Sequence, residues 1–456
     1  MDEATSRPQG PRASSRRSRI RSLPRPPDPG TPADPGAGAG SPVGAGVLRS
    51  PGRLVGAGAG VFVAAVVAHV VLGDALAMHH VDLDVYRAGG AAVLHGEPLY
   101  DLRSPATGMP FTYPVFAALL FVPFAQLSVT AAQAALIGLS LVALVAICAS
   151  SLHMVGLRWR DQAIPAGLAL AGLALFSNPV TRNLALGQIN VVLVALVLLD
   201  VAALRHTRSH GLLIGLAAAI KLVPGLFIVY LVLVGRRRAA LTATATFGGA
   251  VLLGLAIQPT QSWLFWTRYA FDPTRVGSAA HIANQSLRGL VARVLHDDLP
   301  PASVTVTLGA AAVGAALWAA RRYEAHGEEL LGVSAIGMAG LLASPISWTH
   351  HWVWTVPALV AFVAALRVDR LHTDPLRIGL AVIGAAYFVD VYRVGAALPR
   401  PLHPEWPAVF TVTWQQVCGA SYVVAGIGYL VWAVVRARRS GGRHTGRVVP
   451  ETPAIR

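Results

Sequence analysis

The stretch LVGAGAGVFVAAVVAHVVLGDAL, residues 54–76, decides the class of this protein. It contains one acid and no Lys or Arg, and as a helix it is long enough to cross a hydrocarbon layer of about 30 Å. Apolar runs of about 15 to 25 residues recur from there to Val435, the length range of spans and half-spans. Of 456 residues, 54% are hydrophobic and 13% charged, with a mean hydropathy of +0.56. A soluble domain carries about 25% charged residues. A soluble chain would have to bury all these stripes against one another, and no loop here is able to cover them. The sequence therefore predicts an all-α, polytopic membrane protein.

The formal net charge of +15 invites a nucleic-acid reading, but its distribution points elsewhere. Arginines cluster in the N-terminal tail (seven from Arg7 to Arg25), in the short connections Arg236–Arg238, Arg321–Arg322 and Arg367–Arg370, and beyond Arg436. That is the positive-inside pattern. It puts both termini in the cytoplasm and suits attraction to anionic lipid, with no nucleic acid as partner. Residues 1–53, rich in Pro, Gly, Ala, Ser and Arg, hold too little apolar surface to fold. They read as a disordered basic tail ahead of an uncleaved first span. Residues 54–435 then form the membrane domain, and 436–456 a second basic tail. Two cysteines, Cys148 and Cys418, lie far apart in apolar segments and build neither a disulfide framework nor a metal site.

Apolar segments fall at about 54–76, 113–127, 130–152, 163–177, 189–204, 211–234, 239–257, 303–320, 330–346, 352–367, 376–394 and 411–435. Each reads as a span or half-span, about twelve in all. The arginine pattern makes 258–302, 347–351 and 395–410 exterior. In the first half, counting each segment once puts Arg158, Arg160, Arg205 and Arg208 outside, against the charge rule. The conflict goes if 113–152 crosses once and 211–234 breaks at Lys221-Leu222-Val223-Pro224-Gly225, where proline removes a donor and disfavours helix before it. Both topologies stay open, and on either one the long polar loops 77–112 and 258–302 are exterior. Chemistry on one face with short loops on the other describes an enzyme better than a carrier.

Asp82-Leu83-Asp84-Val85-Tyr86 opens the first of those loops. Residues 85–93 read as a short amphipathic helix, so the two acids point some 200° apart and only Asp82 shares a face with Tyr86 at i, i+4. A base for a sugar hydroxyl must stand within hydrogen-bond reach of its proton; Asp82 is the candidate, while Asp84 is a helix cap or a substrate contact. Lys221 is the one lysine among 36 arginines. Inside a membrane segment, a compact point charge of this kind is either a phosphate ligand or a snorkelling side chain. In the second exterior loop Asn284-Gln285-Ser286-Leu287-Arg288 joins amides suited to sugar hydroxyls with a guanidinium suited to phosphate. Ser344–His351 ends in a His pair at an exterior boundary. Adjacent His residues without a third ligand at metal-site spacing do not make a zinc centre, so His350 and His351 read as phosphate ligands or as orienting groups for Asp82. Gly187-Gln188-Ile189-Asn190 is a further polar cluster between apolar segments. No nucleotide-binding phosphate loop is present.

Asp82–Tyr86, Tyr113-Pro114, Gly187–Asn190, Lys221–Pro224, Asn284–Ser286 and Ser344–His351, in that order, resemble glycosyltransferase family 87 from about Leu54 to Val435. The resemblance implies the GT-C membrane architecture, a polyprenyl-phosphate-mannose donor, no cofactor or metal, and α-1,2-mannosyl transfer to a glycolipid or lipoglycan acceptor at the outer face. It implies Asp82 as the catalytic acid residue, acting as base. Asp84, Tyr86, Gln188, Asn190, Lys221, Asn284, Gln285, Arg288, His350 and His351 follow as substrate contacts, with His350 or His351 in the place of the active-site histidine. A transporter built on the break at Lys221, and a non-catalytic cell-envelope assembly protein, are the alternatives from other classes.

Overall fold

The computed structural model describes residues 51–72, 80–369, 384 and 419–440, which are helical apart from turns and two isolated bridges. Residues 1–50 of the expected N-terminal tail, the segment 376–394 apart from Gly384, and the loop 395–410 lie outside the described residues, as does most of the C-terminal tail. Sixteen α-helices follow one another along the described residues. The first eight are α1 (Pro51–Leu72), α2 (Val81–His95), α3 (Val115–Gln126), α4 (Val129–Met154), α5 (Ile164–Ala174), α6 (Asn178–Leu186), α7 (Asn190–Ala203) and α8 (Leu212–Ile220). Then come α9 (Leu226–Leu233), α10 (Arg237–Ile257), α11 (Pro259–Thr267), α12 (Leu287–Leu295), α13 (Ala302–Ala325), α14 (Glu329–Ala343), α15 (Thr355–Asp369) and α16 (Ser421–Ser440).

The expectation of about twelve spans is corrected. Among the described residues five helices are long and apolar enough to cross a membrane: Gly52–Val71, Val129–Met154, Arg237–Ile257, Ala302–Ala325 and Thr349–Leu366. A sixth is added if the pair Trp159–Ala174 and Asn178–Leu186, bent by 79°, counts as one broken span. The physical reason is length. Other apolar segments fold into helices of 9 to 15 residues, such as α3, α7, α8 and α14, and at 1.5 Å per residue these stop short of the roughly 30 Å a span needs. Hydropathy alone does not see where such a helix stops. The chain is nonetheless a multi-pass membrane protein.

The segment 211–234 is broken, with α8 ending at Ile220, Lys221 extended (φ −148°, ψ 134°), and a 3₁₀ turn at Val223–Gly225 leading into α9. The short helices share two ends. At one, Asp200 near the end of α7 accepts from the amides of Gly211, Leu213 and Ile214 at the start of α8. Beside it, Arg205 and Arg236 pair with Glu324 and Glu329, and Tyr230 donates to Glu324 at 3.0 Å. These carboxylates and guanidiniums satisfy one another, which is what makes their partial burial tolerable. At the other end lie the start of α7, the end of α8 and the chain leaving α14, and there the polar residues singled out above collect.

Candidate functional site

Helix α2 fixes the position of the acids. It packs so closely on α3 that a methyl group at Gly90 would sit 2.6 Å from the Phe121 carbonyl oxygen, and Tyr86 stacks on the Phe121 ring at 4.2 Å between centroids. Tyr86 is fully buried and Asp82, one turn earlier, half-buried. Gly187 then brings the next strand of chain to Asp82. It ends α6 in the left-handed conformation (φ +68°), which glycine adopts without steric cost. Its Cα also approaches α2 closely, since a Cβ there would lie 2.8 Å from Leu83 Cβ. Gln188 and Asn190 therefore land beside the Asp82–Tyr86 face.

A single chain of hydrogen bonds follows. Lys221 Nζ donates to Asn190 Oδ1 at 2.9 Å, so Asn190 turns its Nδ2 toward Gln188 Oε1 at 3.1 Å. That oxygen also accepts from Tyr86 Oη at 2.9 Å; Tyr113 Oη lies 3.1 Å from Tyr86 Oη. Gln188 adjoins Asp82, whose carboxyl it helps to hold down, and with its oxygen occupied it has its amide N–H groups left to offer. Because ammonium has only donors and amides have one donor and one acceptor end, the lysine sets the direction of the links through Asn190 to Gln188. Lys221 also lies 3.3 Å from His351 Nε2 and 5.5 Å over the Tyr113 ring. His350 stands edge-on to His351 at 4.7 Å, its carbonyl accepting from Asn183 Nδ2 at 3.2 Å and from Asn190 Nδ2 at 3.4 Å.

Desolvation pushes the Asp82 carboxyl up to about 6, opposed by the charge of Lys221 and by the Gln188 hydrogen bond. A carboxylate with such a value changes state close to neutral pH, as a general base needs to do. From Lys221, Asn190 and His351 an apolar groove runs between α7, α9 and α14, lined by Leu193, Phe227, Ile336, Leu341 and Trp354 among others. Its shape and chemistry suit an amphiphile with an anionic head at the polar end.

Asp82, Tyr86, Gln188, Asn190, Lys221, His350 and His351 thus converge. Asp84 does not join them: it caps no helix end and instead accepts from the Ala106 amide at 3.1 Å, holding the loop after α2. Asn284 and Gln285 are fully buried, and their amides are taken up by backbone. Asn284 donates to Ala279 O at 2.9 Å and accepts from the Ser347 amide at 2.9 Å. Gln285 donates to Ile282 O at 2.7 Å and accepts from the Tyr422 amide at 3.2 Å. They latch the loop before α12 onto the turn before the His pair and onto α16. Arg288, half-buried on α12, has no hydrogen bond to the cluster among the described residues. Among those residues there is also no group of three His, Cys, Asp or Glu arranged for a metal. Asn183 and Tyr113 are additions that sequence reasoning did not place in the site. Tyr113 carried a signal in the Tyr-Pro pair that starts α3; Asn183 carried none.

The profile of glycosyltransferase family 87 matches residues 111–345, a range that includes Gly187–Asn190 and Lys221 and stops short of Asp82 and His350. A polyprenol-phosphate-mannose-dependent alpha-(1-2)-phosphatidylinositol mannoside mannosyltransferase of Mycobacterium tuberculosis is 35% identical over 82% of this chain and 90% of its own length. The protein of the same description from Mycolicibacterium smegmatis is 32% identical over 81% and 86%. A phosphatidylinositol pentamannoside mannosyltransferase of that organism is 32% identical over 79% and 86%. No solved structure matches.

Proposed function

Because this chain belongs to glycosyltransferase family 87, we propose that it moves a mannosyl residue from a polyprenyl-phosphate donor to a lipid-linked glycan acceptor at the outer face of the cell membrane. Asp82 takes the proton of the acceptor hydroxyl as that oxygen attacks the anomeric carbon. The bond to the phosphate oxygen breaks on the opposite face, so the configuration inverts and a β-linked donor gives an α-linked product. The leaving phosphate departs as an anion and needs charge stabilisation more than a proton; Lys221 and His351 stand at the polar end of the groove to supply it. The activities by which the relatives are described support the donor and acceptor classes. One observation carries the reading: a half-buried carboxylate beside Gln188, which is hydrogen bonded through Asn190 to a lysine at the head of an apolar groove.

The test is transfer of radiolabelled mannose to lipid in isolated membranes. Asp82→Asn is expected to lower turnover by about 10²–10⁴-fold or more with the protein still inserted. Near-normal turnover in that variant would refute Asp82 as the base. A transporter built on the break at Lys221 would move label without forming a covalent product, and the same assay separates the two.

A further inference from the structure

Arg182, on α6, is the only charged residue between Asp161 and Asp200. It is half-buried. Among the described residues, every other buried or half-buried arginine except Arg288 donates to a carbonyl or a carboxylate. Arg87 reaches Leu127 O at 2.8 Å, Arg275 Tyr100 O at 2.6 Å and Arg293 Asn284 O at 2.8 Å, and Arg205, Arg236 and Arg436 reach carboxylates. Arg182 has no such partner. A guanidinium withdrawn from water without a counter-charge is costly to keep, and a site that awaits an anion explains it.

Its surroundings point the same way. Helix α6 packs on the 3₁₀ turn Thr349–Trp354. The neighbour of Arg182, Asn183, donates to the His350 carbonyl at 3.2 Å. His350 is only 7% exposed, and its Nε2 has no hydrogen-bond partner. Lys221 lies 3.3 Å from His351 Nε2, and His351 stands edge-on to His350, so a lysine and two imidazoles adjoin the turn that the neighbour of Arg182 holds.

We propose that Arg182, with His350 Nε2, binds the donor phosphate and receives the negative charge it gains on departure. This rests on the glycosyl-transfer reading and deepens it. As the acceptor oxygen bonds to the anomeric carbon and its proton passes to Asp82, the electron pair of the broken bond stays on the phosphate. The phosphate goes from one negative charge to two, and a second cation becomes useful at that step. Arg is suited to it because its planar fork pairs bidentately with phosphate oxygens.

The experiment uses the full chain in detergent or nanodiscs and measures binding of a short-chain polyprenyl phosphate, with inorganic phosphate as a separate arm. Arg182→Gln is expected to weaken polyprenyl-phosphate binding about tenfold to a hundredfold, the scale of a lost charge-assisted hydrogen bond. Arg182→Lys is expected to recover part of it, while the KM for the acceptor stays unchanged. Equal weakening of the inorganic phosphate arm supports direct contact with the phosphate group; weakening of the lipid alone, with free phosphate unaffected, overturns it. Unchanged polyprenyl-phosphate binding with a raised acceptor KM assigns Arg182 to the acceptor and sinks the proposal. A fall in thermal denaturation temperature matching the loss, with no rescue by lysine, reduces it to a structural residue and also sinks it. Because binding is read without turnover, a chain that binds the lipid phosphate and transfers no sugar would fault the transfer reading and leave the site standing.

Discussion

The acid limb of the pH profile is the sharpest test of the site, and Lys221 is the residue to perturb. With Asp82 held at about 6, the base form falls from about 90% at pH 7 to about 10% at pH 5, so kcat/KM drops close to tenfold over that interval. A carboxylate at the ordinary value of about 3.9 would lose less than a tenth of its base form over the same range. Since kcat/KM reports the free enzyme, the unliganded site is the right reference. Two effects oppose the desolvation of Asp82, and the charge of Lys221 is the larger. Removing it in Lys221→Met raises the carboxyl further, by about one pH unit or more for a close opposite charge. The midpoint then moves toward pH 7, and the ionisation part of the loss is recovered at pH 8.5. Any loss of phosphate stabilisation is not recovered there, which separates the two roles of one side chain. The assay is initial-rate mannosyl transfer at subsaturating donor across pH 4.5 to 9. A wild-type limb centred near pH 4, or a midpoint unmoved in Lys221→Met, refutes the coupling. A limb that vanishes in His351→Asn assigns the titration to the imidazole instead.

Gly90→Ala places a methyl 2.6 Å from Phe121 O and 2.9 Å from Val122 N, both backbone, so α2 must move off α3. A loss of about 1–3 kcal/mol is expected, read as a lower denaturation temperature in detergent, and an unchanged temperature means the packing is looser than described. Transfer is expected to survive chelation, since the proposed donor carries one phosphate and Asp84 is tied to a backbone amide. Loss of activity in EDTA with rescue by Mn²⁺ or Mg²⁺ would assign a metal role to Asp82 and Asp84. Topology is tested by single cysteines in a background lacking Cys148 and Cys418. Ser286 is fully buried, so the reporters go at the exposed Ala106 and Asp297, which are expected to react with an impermeant thiol reagent in intact cells, and at Arg238, expected to react only after lysis. Labelling of Ala106 and Asp297 from opposite sides would split the site across the bilayer.

The class of the fold was readable because hydropathy and arginine placement report on the solvent around each segment, and both are properties of composition. The number of spans was not readable in the same way. Whether an apolar run of fifteen residues crosses a bilayer or ends inside it depends on what meets its last turn. Helix α7 begins at Asn190 and α8 ends at Lys221, and these polar ends hydrogen bond to each other. A window average over either segment registers only the apolar remainder. The one sequence-level trace was Lys221-Leu222-Val223-Pro224-Gly225, where a charge and a helix breaker coincide and the backbone turns extended.

The site divides along the same line. Residue type singles out Asp82, Lys221 and the His pair, because a charge or an imidazole beside lipid needs a reason wherever it lies. Residue type says less of Asn284 and Gln285, whose amides suit sugar hydroxyls and backbone equally well. Only the position of Pro345, Ser347 and Gly419 around them decides in favour of backbone. Gly187–Asn190 shows the reverse case, a polar cluster of little weight in the sequence that becomes central. Its importance comes from a left-handed glycine that ends one short helix and lets the chain touch α2. Gly187→Ala would meet both the strained φ and the Leu83 side chain, so Gln188 would be displaced from Asp82 before any charged residue had changed. The direction of the hydrogen bonds from Lys221 through Asn190 to Gln188 thus depends on a residue with no side chain, and that dependence is written in geometry alone.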